Sequence, residues 1–141
     1  MAIVDFGRAF ELLKWLDAFL SQPASKYVEL KPQNLPESGG VYAVGLDHGG
    51  TSKIVYVGLT GNLRNRAYKI HLHGDKAGGQ VKNALIHFGF AKTMPEAKAF
   101  MLSHCTLRFV EVPDHREREM REGFAKAILQ PEFSLYKSKE H

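Results

Sequence analysis

Two tyrosines and an arginine are spaced so that their polar ends could meet at one phosphate group. Tyr42 and Tyr56 lie in two short segments rich in β-branched residues, and Arg66 follows ten positions after Tyr56. Such segments favour β-strands, and the glycines between them predict a hairpin. A guanidinium on a following helix and two phenol hydroxyls could then converge on one patch at the sheet edge. A phosphodiester would bind to such groups, so the residue types predict phosphate chemistry.

The elements that must position these residues are predicted from hydrophobic periodicity, capping residues and turn residues. Strands are expected over residues 40–46, 53–59 and 106–112, and Tyr27 to Leu30 is expected to be a short extended piece. Helices are expected over residues 5–20, from the cap Asn62 onward, over 80–88, from the cap Thr93 to 103, and from the cap Asp114 to 129. The fold class is therefore α+β, a small three-stranded, mostly antiparallel sheet flanked by helices.

Apolar stripes on two of these helices indicate which faces should pack. In the first helix the stripe consists of Phe6, Phe10, Leu13, Leu16 and Leu20. We expect it to close the core, and docking of a partner is the alternative. In the last helix the stripe consists of Met120, Phe124 and Ile128, which should meet the sheet.

Length, charge and cysteine content restrict the class of protein. The chain has 141 residues, of which 44% are hydrophobic, and this suits one compact domain. The net charge is +4, and residues 62–100 hold seven Lys or Arg against two Asp or Glu, which suits a polyanionic partner. The single Cys105 excludes an internal disulfide, and no apolar run reaches the roughly eighteen residues of a membrane span. We therefore expect a cytoplasmic protein without a membrane partner, and association with the nucleoid stays open.

Three pieces of the sequence, in this order, resemble the GIY-YIG nuclease domain. They are Gly40-Val41-Tyr42, then Tyr56-Val57-Gly58 with Arg66 ten positions on, and the segment from Arg121 to Ser134. In that last segment Glu122 precedes Pro131 by nine residues. The resemblance covers residues 40–134 and implies a metal-dependent endonuclease. It would hydrolyse DNA phosphodiester bonds with Mg²⁺ or Mn²⁺, and RNA stays open as a substrate.

The resemblance also implies roles for individual residues. Tyr42 would contact or deprotonate the attacking water, Tyr56 would place water and phosphate, and Arg66 would bind phosphate. Glu122 would bind the metal, and His71 or His73 would assist proton transfer. Further contacts to nucleic acid are expected from Gly58, Arg64, Lys69, Lys76, Lys82 and Ser134.

Two positions depart from the family's pattern. Members commonly carry His or Tyr four residues after the helix arginine, where this chain has Ile70. A bulge or fraying of the helix would bring His71, or failing that His73, to the same place. Ser134 stands where members often have Asn, and its shorter side chain can still form hydrogen bonds. These departures keep open a module of the same fold that binds nucleic acid through its basic face without efficient chemistry.

The expected organisation is a helix and proline-containing linker over residues 1–38, a nuclease-like domain over 39–136, and a tail over 137–141. A third function stays open, in which the first helix binds a partner protein or forms a homodimer. The site residues also have structural alternatives. The tyrosines could be ordinary strand residues, and Arg66 with Glu122 could form a salt bridge.

Overall fold

A four-stranded antiparallel sheet lies at the centre of the protein. The computed structural model describes residues 6–74 and 79–136. The strands are β1 (Ser25–Lys26), β2 (Gly40–His48), β3 (Thr51–Thr60) and β4 (Cys105–Glu111), in the spatial order β1-β4-β2-β3. The predicted α+β class is confirmed, but the prediction of three strands was wrong. A strand of two residues is too short to show an alternating pattern in the sequence.

The helices cover both faces of this sheet. They are α1 (Phe6–Ser21), a π-helical segment (Arg64–Ile70) that continues into α2 (His71–His73), α3 (Gln80–His87), α4 (Met94–His104), α5 (His115–Leu129) and α6 (Glu132–Leu135). α1 and α5 pack on one face, and α2, α3, α4 and α6 contribute to the core on the other. The described residues contain no helix with the length and apolarity that crossing a bilayer requires.

The hairpin of β2 and β3 carries both tyrosines of interest. Its turn is Gly49-Gly50, and both residues have positive φ, 63° and 80°, as a type I′ turn requires. Tyr42 lies opposite Gly58, and Tyr56 lies opposite Val44. Because residues 42 and 44 point to the same side of a strand, Tyr42 and Tyr56 share one face of the sheet.

The predicted helix caps are present at all three expected residues. The side chains of Asn62, Thr93 and Asp114 each accept a hydrogen bond from the backbone N–H three residues further on, at 3.0, 3.2 and 2.9 Å. Such caps satisfy backbone donors that have no partner inside the helix. They therefore set where each helix begins.

The linker between α1 and β2 packs into the core and holds the helix that follows β3. Tyr27 is 1% exposed, and its hydroxyl donates to the carbonyl of Ala67 at 2.9 Å. The Tyr68 hydroxyl donates back to the carbonyl of Leu30 at 3.3 Å. The extended piece predicted for residues 27–30 was wrong, since Tyr27–Glu29 form a 3-10 turn. Tertiary contacts of the buried Tyr27 decide this conformation over local propensity.

The predicted apolar stripe of α1 packs only in its second half, where Leu16 is buried and Leu20 lies against the core. Leu16 and Phe19 are buried, whereas Phe6 and Phe10 are 66% and 63% exposed. The helix is instead fixed to α5, where the Arg8 guanidinium lies 2.6 Å from the Glu117 carboxylate. Phe6, Phe10 and Leu13 lie on the solvent side of α1.

Candidate active site

Tyr42, Tyr56 and His71 form a compact cluster on the face of the sheet covered by α2 and α3. The ring centroids of Tyr42 and Tyr56 are 6.0 Å apart, and His71 lies 5.5 Å from Tyr42 and 5.0 Å from Tyr56. The Tyr42 hydroxyl and Nε2 of His71 share a hydrogen bond of 2.5 Å. Three groups from β2, β3 and α2 thus meet, although 29 positions separate Tyr42 from His71.

A π-helical register brings His71, and not His73, into this cluster. The backbone N–H of His71 donates to the carbonyl of Arg66, five residues earlier, instead of the usual four. His71 is 0% exposed. The ring of His73 is exposed and lies against Tyr68, with centroids 5.6 Å apart. The bulge that was expected as one route for His71 is therefore present as this π-helical register.

Burial keeps both members of the Tyr42–His71 pair neutral. Tyr42 is 0% exposed, and burial raises the pKa of its hydroxyl well above 10.0. Burial also lowers the pKa of His71 to about 3, and the positive charges of Arg66 and Lys82 lower it further. A phenol that keeps its proton donates it to Nε2, which leaves the imidazole hydrogen on Nδ1. Nδ1 is buried, and no hydrogen-bond partner for it lies among the described residues.

Arg66 provides the uncommitted positive charge of the cluster. Its guanidinium is half-buried, and within residues 6–74 and 79–136 no side-chain hydrogen bond or ion pair occupies it. It is close enough to Tyr42 and His71 to lower the pKa of both. The sequence also allowed a salt bridge between Arg66 and Glu122, but the Glu122 carboxylate is instead 3.3 Å from Lys126. Arg66 is therefore available to an anionic ligand.

Gln80, the first residue of α3, joins the cluster although no sequence pattern indicated it. The Tyr56 hydroxyl donates a short hydrogen bond to Oε1 of Gln80. Tyr56 is 8% exposed and Gln80 is exposed, so this end of the cluster reaches the surface. A glutamine at the start of a helix, 24 residues from its tyrosine, has no signature by which it could have been found.

Lys82 is part of the interior, and its predicted contact to nucleic acid was wrong. It is 3% exposed, and its ammonium group donates to the carbonyls of Leu72, at 2.9 Å, and of Gly74. These bonds join the end of α2 to the first turn of α3. The buried lysine thus fixes His71 and Gln80 relative to each other.

Glu122 lies on the face of α5 that meets the sheet. The predicted packing of Met120 and Ile128 was wrong, since they are 42% and 56% exposed. The helix instead presents residues 118, 122, 125 and 129 to the sheet. Ala125 is fully buried in the same core cluster as Val57. This rotation leaves the Glu122 side chain only 16% exposed.

The position of Glu122 along the sheet follows from its neighbours. The Arg118 guanidinium donates to the carbonyl of Thr60 at 3.2 Å, and Ala125 packs with Val57. Glu122 lies between Arg118 and Ala125 on α5, and α5 packs on the face of the sheet opposite to the tyrosine cluster. Tyr42 opposes Gly58 from the other face of the sheet, and β3 is an edge strand. Glu122 and the tyrosine cluster therefore lie on opposite faces of the sheet.

Gly58 leaves the space that the Tyr42 hydroxyl occupies. A Cβ atom at this position would lie 2.6 Å from the Tyr42 oxygen and 2.7 Å from Cζ. We therefore expect Gly58→Ala to displace Tyr42 from His71 and to lower the free energy of unfolding by about 1–3 kcal/mol. Urea denaturation followed by circular dichroism measures this loss.

Gly61→Ala is the matched control, because nothing lies within 4 Å of a Cβ added there. It should change the free energy of unfolding by no more than about 0.5 kcal/mol. Equal losses in the two variants would contradict the close approach of Tyr42 to Gly58.

The other residues expected to contact nucleic acid have separate surroundings. Arg64 is bound to the linker, since it donates to the carbonyl of Leu35 at 2.9 Å and to Glu37 at 2.7 Å. Lys69 is exposed and available. The Ser134 hydroxyl accepts from the backbone N–H of Val57 at 2.8 Å and donates to its carbonyl at 3.2 Å, so it fixes α6 to the edge of β3. Lys76 lies outside the described residues.

No group of three or more His, Cys, Asp or Glu side chains that could hold a metal ion is found in the part of the chain that the structure describes. The carboxylate that the resemblance implies as a metal ligand is Glu122, on the opposite face of the sheet from the cluster. One protein carboxylate, completed by water and substrate phosphate, is a set of ligands that suits Mg²⁺. The residues present therefore fit a weakly held cation, and they do not form a closed metal site.

Comparisons of this chain with models of protein families, with curated proteins and with solved structures found no match. The class of this protein is therefore described from its fold and its side-chain cluster alone. It is an α+β protein whose antiparallel sheet carries a tyrosine–tyrosine–histidine cluster beside an uncommitted arginine.

Proposed function

We propose that this protein is a metal-dependent endonuclease of GIY-YIG type that hydrolyses DNA phosphodiester bonds. The observation that carries the proposal is the meeting of Tyr42, Tyr56 and His71 beside the uncommitted guanidinium of Arg66. These side chains come from separate elements, and local strand or helix packing does not require them to meet. Neutral hydrogen-bonding groups next to a fixed positive charge suit the binding of a phosphate.

The residues nearest the surface would bind the phosphodiester. Arg66 offers a planar and permanently charged guanidinium, which can hold two phosphate oxygens at once. Tyr56 lies beside the place that the phosphate would take, with the Tyr42–His71 pair packed behind it. The exposed Lys69, three positions after Arg66, would extend the positive surface along the DNA backbone.

Glu122 would hold the divalent cation from the other side of the sheet edge. Its carboxylate is a hard oxygen ligand of the kind that Mg²⁺ and Mn²⁺ prefer. When bound, the cation supplies charge stabilisation at the phosphate and at the leaving oxygen. Lys126, 3.3 Å from Glu122, would hold this carboxylate in place in the absence of DNA.

Two observations favour other functions. Tyr42 and His71 are both 0% exposed, which favours a module that binds nucleic acid without cleaving it. The exposed stripe of Phe6, Phe10 and Leu13 on α1 favours a protein interface, with a partner or with a second copy of the chain. DNA binding should weaken steeply with rising salt, whereas an apolar contact should not.

Cleavage of a mixed panel of substrates tests the proposal. Plasmid, linear, branched and single-stranded DNA, with single-stranded RNA for comparison, are incubated with Mg²⁺, with Mn²⁺ or with EDTA. We expect cleavage that requires the cation and that is absent from a double variant, Arg66→Ala with Glu122→Gln, purified in the same way. Cleavage that survives in the double variant would indicate a contaminating nuclease. Salt-sensitive binding without cleavage of any substrate would reject the nuclease in favour of the binding module.

A further inference from the structure

The two tyrosines of the cluster differ in access to solvent and in hydrogen-bond partner. Tyr42 is 0% exposed and bonded to the buried His71, whereas Tyr56 is 8% exposed and bonded to Gln80 at the surface. A substrate that approaches this patch therefore meets Tyr56, Gln80 and Arg66 before it meets Tyr42. The expectation that Tyr42 touches the attacking water does not agree with this burial.

We infer that Gln80 is a positioning residue, which fixes the Tyr56 hydroxyl so that its oxygen faces the phosphodiester and the attacking water. This inference rests on the proposed function and concerns the same site. Because Oε1 of Gln80 takes the phenolic hydrogen, the Tyr56 oxygen can act as a hydrogen-bond acceptor. Tyr56 then orients water as an acceptor and keeps its own proton. Tyr42 acts through Tyr56, by packing against its ring with centroids 6.0 Å apart.

The surroundings of Gln80 hold it in place for this role. It begins α3, and two residues later Lys82 donates to the carbonyl of Leu72 at 2.9 Å. That buried bond joins the start of α3 to the helix that carries His71. Because the Gln80–Tyr56 hydrogen bond is already formed before substrate binds, its effect should appear in kcat more than in KM.

A double-mutant cycle on cleavage tests the inference. Gln80→Leu removes the hydrogen-bond acceptor, and Tyr56→Phe removes the donor. A double variant carries both substitutions. We expect each single variant to lower kcat about tenfold with less than a twofold change in KM, and the double variant to be no slower than the singles. Gln80→Glu keeps an acceptor oxygen but adds a negative charge near the phosphate, so it should recover part of the kcat that Gln80→Leu loses. Gln33→Leu, at an exposed linker position, should change neither constant.

The wild type, the two single variants Gln80→Leu and Tyr56→Phe, and their double variant are also unfolded in urea. This measurement does not depend on nuclease activity. If the hydrogen bond couples the two residues, the double variant is no less stable than the less stable single variant. Additive losses of kcat, or an unchanged kcat in Gln80→Leu, would overturn the positioning role. If the wild type cleaves no substrate, the proposed function fails and the positioning role fails with it. Non-additive changes in the free energy of unfolding would then show that the Gln80–Tyr56 contact is real. Additive changes would reject the contact itself.

Discussion

Glu122→Gln is expected to reduce the rate of cation-dependent DNA cleavage by about a thousandfold. The amide keeps the size of the carboxylate but removes the negative charge that would hold Mg²⁺. Charge stabilisation by a bound cation contributes several kcal/mol to the transition state of phosphoryl chemistry, and about 4 kcal/mol corresponds to this factor. The measurement is single-turnover cleavage over a series of Mg²⁺ concentrations.

Glu119→Gln is the matched control for this variant. Glu119 lies on the same helix, but its side chain is 60% exposed and lies 2.9 Å from Nε2 of His115, away from the sheet. The Glu119→Gln variant should cleave DNA at the wild-type rate. Binding of DNA in Ca²⁺, measured by fluorescence anisotropy, should be similar for both variants. If Glu122→Gln cleaves as fast as Glu119→Gln at every Mg²⁺ concentration, Glu122 is not the metal ligand.

Arg66→Ala is expected to lower kcat by roughly two to three orders of magnitude, the usual effect of removing a fixed group that stabilises charge in the transition state. Arg66 is half-buried, it has no competing partner among the described residues, and it lies near the Tyr42–His71 pair. A bound phosphate would therefore lose its main cationic contact. Arg66→Lys should recover only part of the rate, because an ammonium group does not match two oxygens at once.

Arg116→Ala provides the control, since Arg116 is an exposed arginine at the start of α5. It should change kcat by less than about twofold, as surface substitutions away from a site usually do. Circular dichroism must show that Arg66→Ala remains folded. A folded Arg66→Ala protein with wild-type kcat would exclude Arg66 from the reaction and leave Lys69 as the next cation to test.

Local sequence signals predicted the elements that hold the site well. The caps at Asn62, Thr93 and Asp114 form as expected, because a capping side chain needs only a backbone N–H three residues away. The hairpin was predicted for the same reason, since two glycines with positive φ define its turn. Interactions between residues close together in the chain can therefore be predicted from short stretches of sequence.

Helix faces were predicted less well. The apolar spacing of Met120, Phe124 and Ile128 suggested one packed face. Phe124 packs against the core as expected, but Met120 and Ile128 are exposed, and α5 buries Ala125 instead. Ion pairs between α1 and α5, such as that of Arg8 with Glu117, contribute to these orientations. Since several faces of a helix carry some apolar residues, the choice among them depends on what the neighbouring elements present.

The sequence by itself determined the α+β class, the hairpin with its two tyrosines, the helix caps and the arginine that follows. Only the tertiary structure decided that His71 lies in the cluster and His73 does not, that Lys82 is buried, and that Gln80 holds Tyr56. The physical reason is the range of the interactions. Caps and turns are made by residues three or four apart, whereas burial and the contacts of Tyr42 and Tyr56 join residues 29 and 24 positions apart.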